Sequence, residues 1–185
     1  MMRRVLRSTL ISMASASIAV IAAVSVLAGQ SSGDAKLQGQ LRQLFPAAAT
    51  FSPKAGDPPH FSAFIADPRT GQPTLIGLAF WTTELQPLER GYDGPIKILV
   101  GMDTKGILTG IIVSEHHEPY GNFSVDTPNF SAQFKGKDIR DAFKVGVDVD
   151  AVSRATISIT SASRAIRNSA RMVARQVLTA PAAVK

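Results

Sequence analysis

The chain contains no cysteine, and this absence excludes several kinds of chemistry. Without a thiol the protein can form no disulfide, use no cysteine nucleophile and ligate no iron–sulfur cluster by itself. Aromatic residues make up only 6% of the 185 residues, and no basic run is interleaved with them. A nucleic-acid partner is therefore not expected, even though the formal net charge is +6. A hydrolytic site is not expected, and the sequence contains no glycine-rich phosphate loop.

The beginning of the chain is apolar and free of acidic residues. Three arginines lie among the first seven residues, an apolar stretch covers 10–28, and the next charged residue is Asp34. The stretch approaches the length of about 20 residues that spans a bilayer and exceeds the usual signal-peptide core of about 7–15 residues. We therefore expect residues 1–33 to anchor the protein in the bacterial inner membrane, with the rest on the periplasmic side. A cleaved signal peptide ending near Val26-Leu27-Ala28 is the alternative.

Hydrophobic periodicity predicts an α+β domain over residues 34–180, followed by a tail over 181–185. The predicted elements are a helix over 34–45, strands over 60–67, 74–82, 96–103 and 107–115, one or two helical turns over 138–143, and a helix over 158–178. Strands that precede a helix, with no repeated strand–helix–strand unit, indicate an antiparallel sheet packed by helices. The hairpin over 96–115 is apolar on both faces, so we expect it to lie centrally, with other elements packed on each side.

The last predicted helix has two contrasting faces. Its apolar stripe consists of Ile159, Ala162, Ile166, Ala170, Val173 and Val177. Its opposite face carries Arg164, Arg167, Arg171 and Arg175. A solvated surface is one interpretation of the arginines, and a docking surface for an acidic redox partner is the other.

Histidine is scarce, and its placement argues against a metal site. His116 and His117 are adjacent, so on an extended chain their side chains point in opposite directions. His60 is the only other histidine. We therefore expect no metal ligands among these residues. The alternative is a metal carrier that uses all three histidines, which is a third hypothesis for the function.

The stretch from Asp148 to Thr160 leads from an acidic turn into the last helix. Ser153, Thr156 and Ser158 are candidate helix caps. The helix start also offers unpaired N–H groups and the positive end of the dipole, an arrangement that favours a phosphate. Physical chemistry alone assigns Thr156 a capping role.

The same stretch contains a motif of wider significance. Asp150-Ala151-Val152-Ser153-Arg154-Ala155-Thr156 resembles the flavinylation motif of the FMN-binding domain family, which includes the G subunit of the Rnf complex and the C subunit of the sodium-pumping NADH:quinone reductase. The family pattern is Asp, two loose positions, Ser or Thr, usually Gly, and then Ala-Thr. In the family the last threonine carries FMN through a phosphoester, which a dedicated magnesium-dependent transferase installs from FAD. The resemblance therefore implies FMN on Thr156.

One position departs from the family pattern. Arg154 stands where glycine is usual. If that position requires a positive φ, the arginine is strained there. If it does not, the side chain is free to approach the flavin phosphate or ring.

The resemblance covers roughly residues 35–180. Segments 44–59, 90–121 and 130–139 are similar to the N-terminal periplasmic domain of NosR- and NirI-type membrane flavoproteins, which support nitrous oxide and nitrite reduction. The resemblance implies that His117, Glu118 and Tyr92 lie near the isoalloxazine ring. It also implies a flavin loop composed of Asp150, Ser153, Arg154, Ala155, Thr156, Ile157 and Ser158.

These implications together predict an electron-transfer flavoprotein rather than a stand-alone enzyme. Larger NosR-type proteins continue into membrane helices and cysteine-rich iron–sulfur segments, so the electron partners of this chain, if it is complete, are expected to be separate proteins. The alternative is a non-redox regulatory or scaffold module for maturation of a periplasmic reductase. Flavin content distinguishes these hypotheses, since a scaffold needs no flavin.

Overall fold

Five antiparallel strands form the centre of the fold. In the computed structural model, which describes residues 32–179, the strands lie in the order of the chain, and each pairs with its neighbour. The strands are β1 (Thr50–Phe51), β2 (Phe61–Ala66), β3 (Pro73–Trp81), β4 (Lys97–Asp103) and β5 (Leu108–Glu115). The helices are α1 (Ser32–Leu44), α2 (Thr82–Leu85), α3 (Pro128–Ala132) and α4 (Thr156–Val173), which continues as a π-helical turn over Ala174–Leu178. A 3-10 turn spans Gly121–Phe123.

Helix α1 covers one face of the sheet. Leu41 and Phe45, near and just after the end of this helix, are buried against Leu99 of β4. The close approach depends on Gly77 in β3, since a Cβ atom there would lie 2.4 Å from the Phe45 ring. A side chain at Gly77 would therefore push the end of α1 away from the sheet.

Helix α4 covers the opposite face through its apolar stripe. Ile159 and Ile166 are fully buried among residues of β3 and β4, including Ile98 and Met102. Strand β4 contributes side chains to the cores on both faces, and all of its residues except the first and the last are buried. The larger core also contains an aromatic group of Phe130, Phe134 and Phe143, in which neighbouring ring centroids are 5.1 and 6.2 Å apart.

The structure confirms the α+β class and the antiparallel sheet, and it corrects details of the sequence-based predictions. Strand β4 is buried on both faces as predicted, but β5 is an edge strand, so the hairpin is not central. The predicted helix over 138–143 is wrong. Asp138 instead forms a bridge with Ile107, and its carboxylate accepts the backbone N–H of Arg140 at 2.9 Å, which folds the segment into a turn. The sequence did not reveal β1, α2 or α3, which are all short; residues 116–137 were expected to be irregular, but α3 lies within them.

The expected anchor over residues 1–33 lies almost entirely outside the described residues. Between residues 32 and 179, no helix has the length and apolar character needed to cross a membrane.

Candidate functional site

A cavity of about 310 Å³ opens at the N-terminus of α4. Three segments build it: the loop after α2, the turn after β5 and the first turn of α4. Its lining residues are Tyr92, Pro119, Tyr120, Arg154, Thr156, Ile157 and Ser158. The volume lies at the lower end of the range of about 300–1,000 Å³ that is typical of small-molecule sites.

The cavity is rimmed by large apolar side chains that are exposed. Tyr92 is 69% exposed, Ile157 57% and Tyr120 44%. Large apolar groups that converge on one cavity are typical of a surface that a ligand covers, and aromatic rings favour stacking on a flat ligand.

A tight turn over residues 152–155 leads into α4. The N–H of Ala155 donates to the carbonyl oxygen of Val152 at 3.1 Å, and Arg154 at the third position has φ +68°. This left-handed conformation is one that glycine adopts freely and that costs other residues about 1–2 kcal/mol. The position therefore does require a positive φ, which accounts for the usual glycine of the family pattern, and the Arg154 side chain nevertheless lines the cavity.

No side chain caps the beginning of α4. Ala155 is the N-cap residue, so the expectation that Ser153, Thr156 or Ser158 serves as the cap is wrong. Thr156 is the first helical residue and is exposed, and within residues 32–179 its hydroxyl makes no hydrogen bond. The cavity therefore contains an accessible hydroxyl beside uncapped N–H groups at the positive end of the helix dipole, which is a favourable environment for a phosphate.

A buried carboxylate holds the three segments of the site together. Glu118 is 6% exposed and accepts the backbone N–H groups of Tyr92 at 3.0 Å and Asp93 at 3.1 Å. It also accepts the hydroxyl of Ser158 in the first turn of α4. Gly91 permits this packing, because a Cβ atom there would lie 2.2 Å from a Glu118 oxygen. With three donors, Glu118 acts as a clamp beneath the cavity wall.

The histidines of the turn after β5 have separate structural surroundings. His116 accepts the N–H of Glu118 on Nδ1 at 3.0 Å, and its Nε2 lies 2.8 Å from a carboxylate oxygen of Asp126. His117 is exposed. Nδ1 of His60 lies 2.8 Å from the carbonyl oxygen of Pro58. Over the part of the chain that the structure describes, no three His, Cys, Asp or Glu side chains are grouped so that they could hold a metal ion.

The loop before the turn is organised by Asp148. Its carboxylate accepts the N–H groups of Lys144 at 2.6 Å and Phe143 at 2.9 Å and pairs with the Lys137 ammonium at 3.1 Å. Burial alone would raise the pKa of Asp148, but the hydrogen bonds from Lys144, Lys137 and Phe143 together hold that pKa below its usual value. The carboxylate is therefore ionised at neutral pH and fixes the course of the loop toward α4.

The predicted site residues fall into three groups. Those that line the cavity are Tyr92, Arg154, Thr156, Ile157 and Ser158. Glu118 and Ala155 are buried next to it, and Ala155 is only 2% exposed. Asp150, Ser153 and His117 are exposed and do not line it, and Asp150 borders a different cavity.

Two cavity residues were absent from the sequence-based prediction. Pro119 and Tyr120 directly follow Glu118, and both line the cavity. The N–H of Gly121 donates to the carbonyl oxygen of Glu118 at 3.1 Å, and the two residues within this turn both face the opening. The aromatic side chain of Tyr120, two residues after the predicted site residue Glu118, was the available signal.

Comparison with known proteins identifies the class of domain. The family model of the FMN-binding domain matches residues 91–171, which include every residue that lines the cavity. Residues 91–171 therefore belong to the FMN-binding domain family. The family resemblance predicted from the motif is confirmed.

Curated relatives extend the similarity beyond the matched segment. The chain is similar to the G subunit of the ion-translocating oxidoreductase complex of Vibrio vulnificus (strain YJ016), with 31% identity over 132 residues, or 64% of this chain and 59% of the relative. The corresponding protein of Vibrio parahaemolyticus serotype O3:K6 (strain RIMD 2210633) is 28% identical over 132 residues, which cover 66% of this chain and 59% of the relative. The matched region thus spans less than two thirds of the length of these relatives.

The residues present fit FMN as the cofactor of this domain. The exposed rings of Tyr92 and Tyr120 suit a flat isoalloxazine ring, and the uncapped start of α4 with Arg154 suits a phosphate. When bound, FMN supplies redox chemistry, and the chain supplies binding, orientation and the local electrostatic field.

Proposed function

We propose that the protein is a membrane-associated electron-transfer flavoprotein whose FMN is joined to Thr156 by a phosphoester. The observation that carries this proposal is the position of the Thr156 hydroxyl, which is exposed, without a hydrogen bond within residues 32–179, and in the wall of the cavity. The uncapped N–H groups and Arg154 offset the negative charge of an attached phosphate.

The linkage requires a maturation step on an otherwise ordinary threonine. The oxygen of Thr156 forms a bond with the flavin-side phosphorus of FAD, the bond from that phosphorus to the oxygen bridging the two phosphates breaks, and AMP leaves. The proton of the hydroxyl passes to the flavin transferase that catalyses the step. Since this hydroxyl donates to no protein acceptor within the described chain, attachment breaks no hydrogen bond there.

We also propose the setting in which the flavin works. The similarity to subunits of an ion-translocating oxidoreductase complex supports redox partners, and the N-terminal apolar stretch supports a place on the periplasmic side of the membrane. The resemblance of residues 90–121 to NosR-type domains supports a denitrification-type respiratory chain. The protein then relays electrons between a membrane donor and a periplasmic acceptor.

Intact mass measurement tests the covalent linkage. The protein is produced together with a flavin transferase, and its mass is compared with that of the Thr156→Ala variant and of Thr160→Ala, a matched control one helical turn further along α4. We expect one added FMN, which fluoresces in a denaturing gel, in the wild type and in the Thr160→Ala variant but not in Thr156→Ala. An unmodified wild type would refute the linkage, and an unmodified wild type without any native flavin would favour the scaffold hypothesis.

A further inference from the structure

A second large opening lies beside α4 and carries a different chemistry. Its volume is about 540 Å³, and it runs between α4 and the loop over 142–145. The charged residues that line it are Lys144, Arg164, Arg167 and Arg171. This surface is called the cationic groove below.

Two arginines of the cationic groove are held in fixed positions. Arg171 donates to the carbonyl oxygens of Ile139 at 2.7 Å and Asp141 at 2.9 Å. Arg164 forms a two-pronged pair with Glu89 at distances of 2.6 and 2.7 Å. A partner that binds here therefore encounters cations whose side-chain entropy is already largely lost, which lowers the cost of association.

The positive charge of the cationic groove is largely uncompensated. Of its four cations, only Arg164 contacts a carboxylate within residues 32–179. Arg171 and Arg167 donate to neutral oxygen atoms, and the Lys144 ammonium forms no hydrogen bond or ion pair within the same residues. Arg164 lowers the pKa of Glu89, so this single carboxylate stays ionised, and the groove retains a clear positive excess.

The arrangement of the cations favours a protein surface over a small anion. Arg164 and Arg171 are seven residues apart, or about 10 Å along the helix axis. A phosphate-sized ion needs donors that converge on one point, whereas these guanidinium groups are directed at their own protein and leave a broad positive field. Several carboxylates spread over a partner surface match that field better.

We propose that the cationic groove is the docking surface for an acidic face of a partner protein. Thr160 also lines the groove, and it follows Thr156 by one helical turn on the exposed side of α4. A docked partner therefore lies next to the start of α4. That this partner is an electron donor or acceptor rests on the proposed function, but the docking itself does not.

Binding of an acidic probe protein tests the docking surface. Flavodoxin is titrated at low ionic strength against the full-length protein and against a variant carrying Lys144→Glu and Arg167→Glu. The matched control carries Arg69→Glu and Lys105→Glu, which make the same charge change in two exposed hairpin turns. We expect the groove variant to bind about tenfold more weakly and to lose most of its salt dependence, while the control changes affinity less than about twofold.

The outcomes separate docking from net charge and from flavin attachment. Equal weakening of the two variants, or no binding by the wild type, would overturn the proposal. Displacement of flavodoxin by micromolar pyrophosphate would also overturn it, because the groove would then be a site for a small anion. Unchanged circular dichroism of both variants shows that they are folded. The Thr156→Ala variant should bind flavodoxin as tightly as the wild type. The mass measurement therefore tests the flavin linkage, and the flavodoxin titration tests docking, independently of each other.

Discussion

Replacing Glu118 with glutamine should loosen the clamp beneath the cavity wall and lower the free energy of unfolding by about 2 kcal/mol. The substitution keeps the shape of the side chain but turns one acceptor into a donor. The amide oxygen can still accept hydrogen bonds from the N–H of Tyr92 and the hydroxyl of Ser158. The new NH₂ group then faces the N–H of Asp93, and because both are donors this hydrogen bond is lost. Losing one hydrogen bond to a charged acceptor costs about 1.5–3 kcal/mol, and the smaller desolvation penalty of a neutral amide offsets part of it.

Urea and thermal unfolding provide the assay. For a chain of this size, about 2 kcal/mol corresponds to a decrease in Tm of roughly 4–8 °C. Glu115→Gln is the matched control, because Glu115 is exposed and pairs with Lys97 only at the surface, at 3.2 Å. Surface ion pairs contribute about 0–1 kcal/mol, so this control should change stability little.

A double-mutant cycle tests whether the clamp acts through α4. Ser158→Ala removes the hydroxyl that donates to Glu118, so its cost should be about 1 kcal/mol smaller in the Glu118→Gln background than in the wild type. If Glu118→Gln is as mild as Glu115→Gln, or if the two effects add without coupling, the clamp interpretation is refuted.

Two further substitutions examine the turn and the loop that lead into α4. Arg154→Gly should raise the free energy of unfolding, measured in urea, by about 0.5–1 kcal/mol, because glycine removes the positive-φ penalty at a smaller entropic cost. Arg154→Ala retains the penalty and should give no gain in stability. Asp148→Asn should lower stability at pH 7 by about 1.5–3 kcal/mol through weaker hydrogen bonds to Phe143 and Lys144. Since the pKa of Asp148 is lowered in the folded protein, its stabilisation is complete above the unfolded pKa of about 3.9 and disappears as the pH falls through the folded value. The difference from wild type measured by urea unfolding should therefore shrink below about pH 4, and a constant difference down to about pH 2 would contradict this reasoning.

Secondary structure that follows a clear hydrophobic period could be predicted from the sequence. The four long strands and the two long helices are present near their predicted positions, because each buries a continuous apolar stripe. The edge position of β5 in the sheet could not be predicted from its hydrophobic pattern. Its two apolar faces are covered by α1 on one side and by the α3 region on the other, so an edge strand acquired the pattern of a central one.

Local side-chain hydrogen bonds explain the failure at 138–143. The segment has helix-compatible spacing, but the Asp138 carboxylate captures the N–H of Arg140, and the N–H of Ile139 donates to the carbonyl oxygen of Gly106 at 3.0 Å. Aspartate competes with helix formation in this manner because its short side chain reaches nearby backbone groups. Gly106, whose carbonyl oxygen accepts the N–H of Ile139, lies far away in the sequence, so no local pattern predicts this hydrogen bond.

The motif residues at the start of α4 determine the backbone conformation that exposes Thr156. Arg154 supplies the left-handed turn at an energetic cost, and Ala155 is small enough to be buried as the N-cap residue beside Ile159. With Ala155 fixed inward, Thr156 must emerge at the surface of the cavity, and Ser158 turns inward again to reach Glu118. The threonine is thus presented because its neighbours are buried. Under the proposed linkage, intact mass measurement of an Ala155→Leu variant should therefore show as complete a loss of FMN as Thr156→Ala, even though position 155 carries no reactive group.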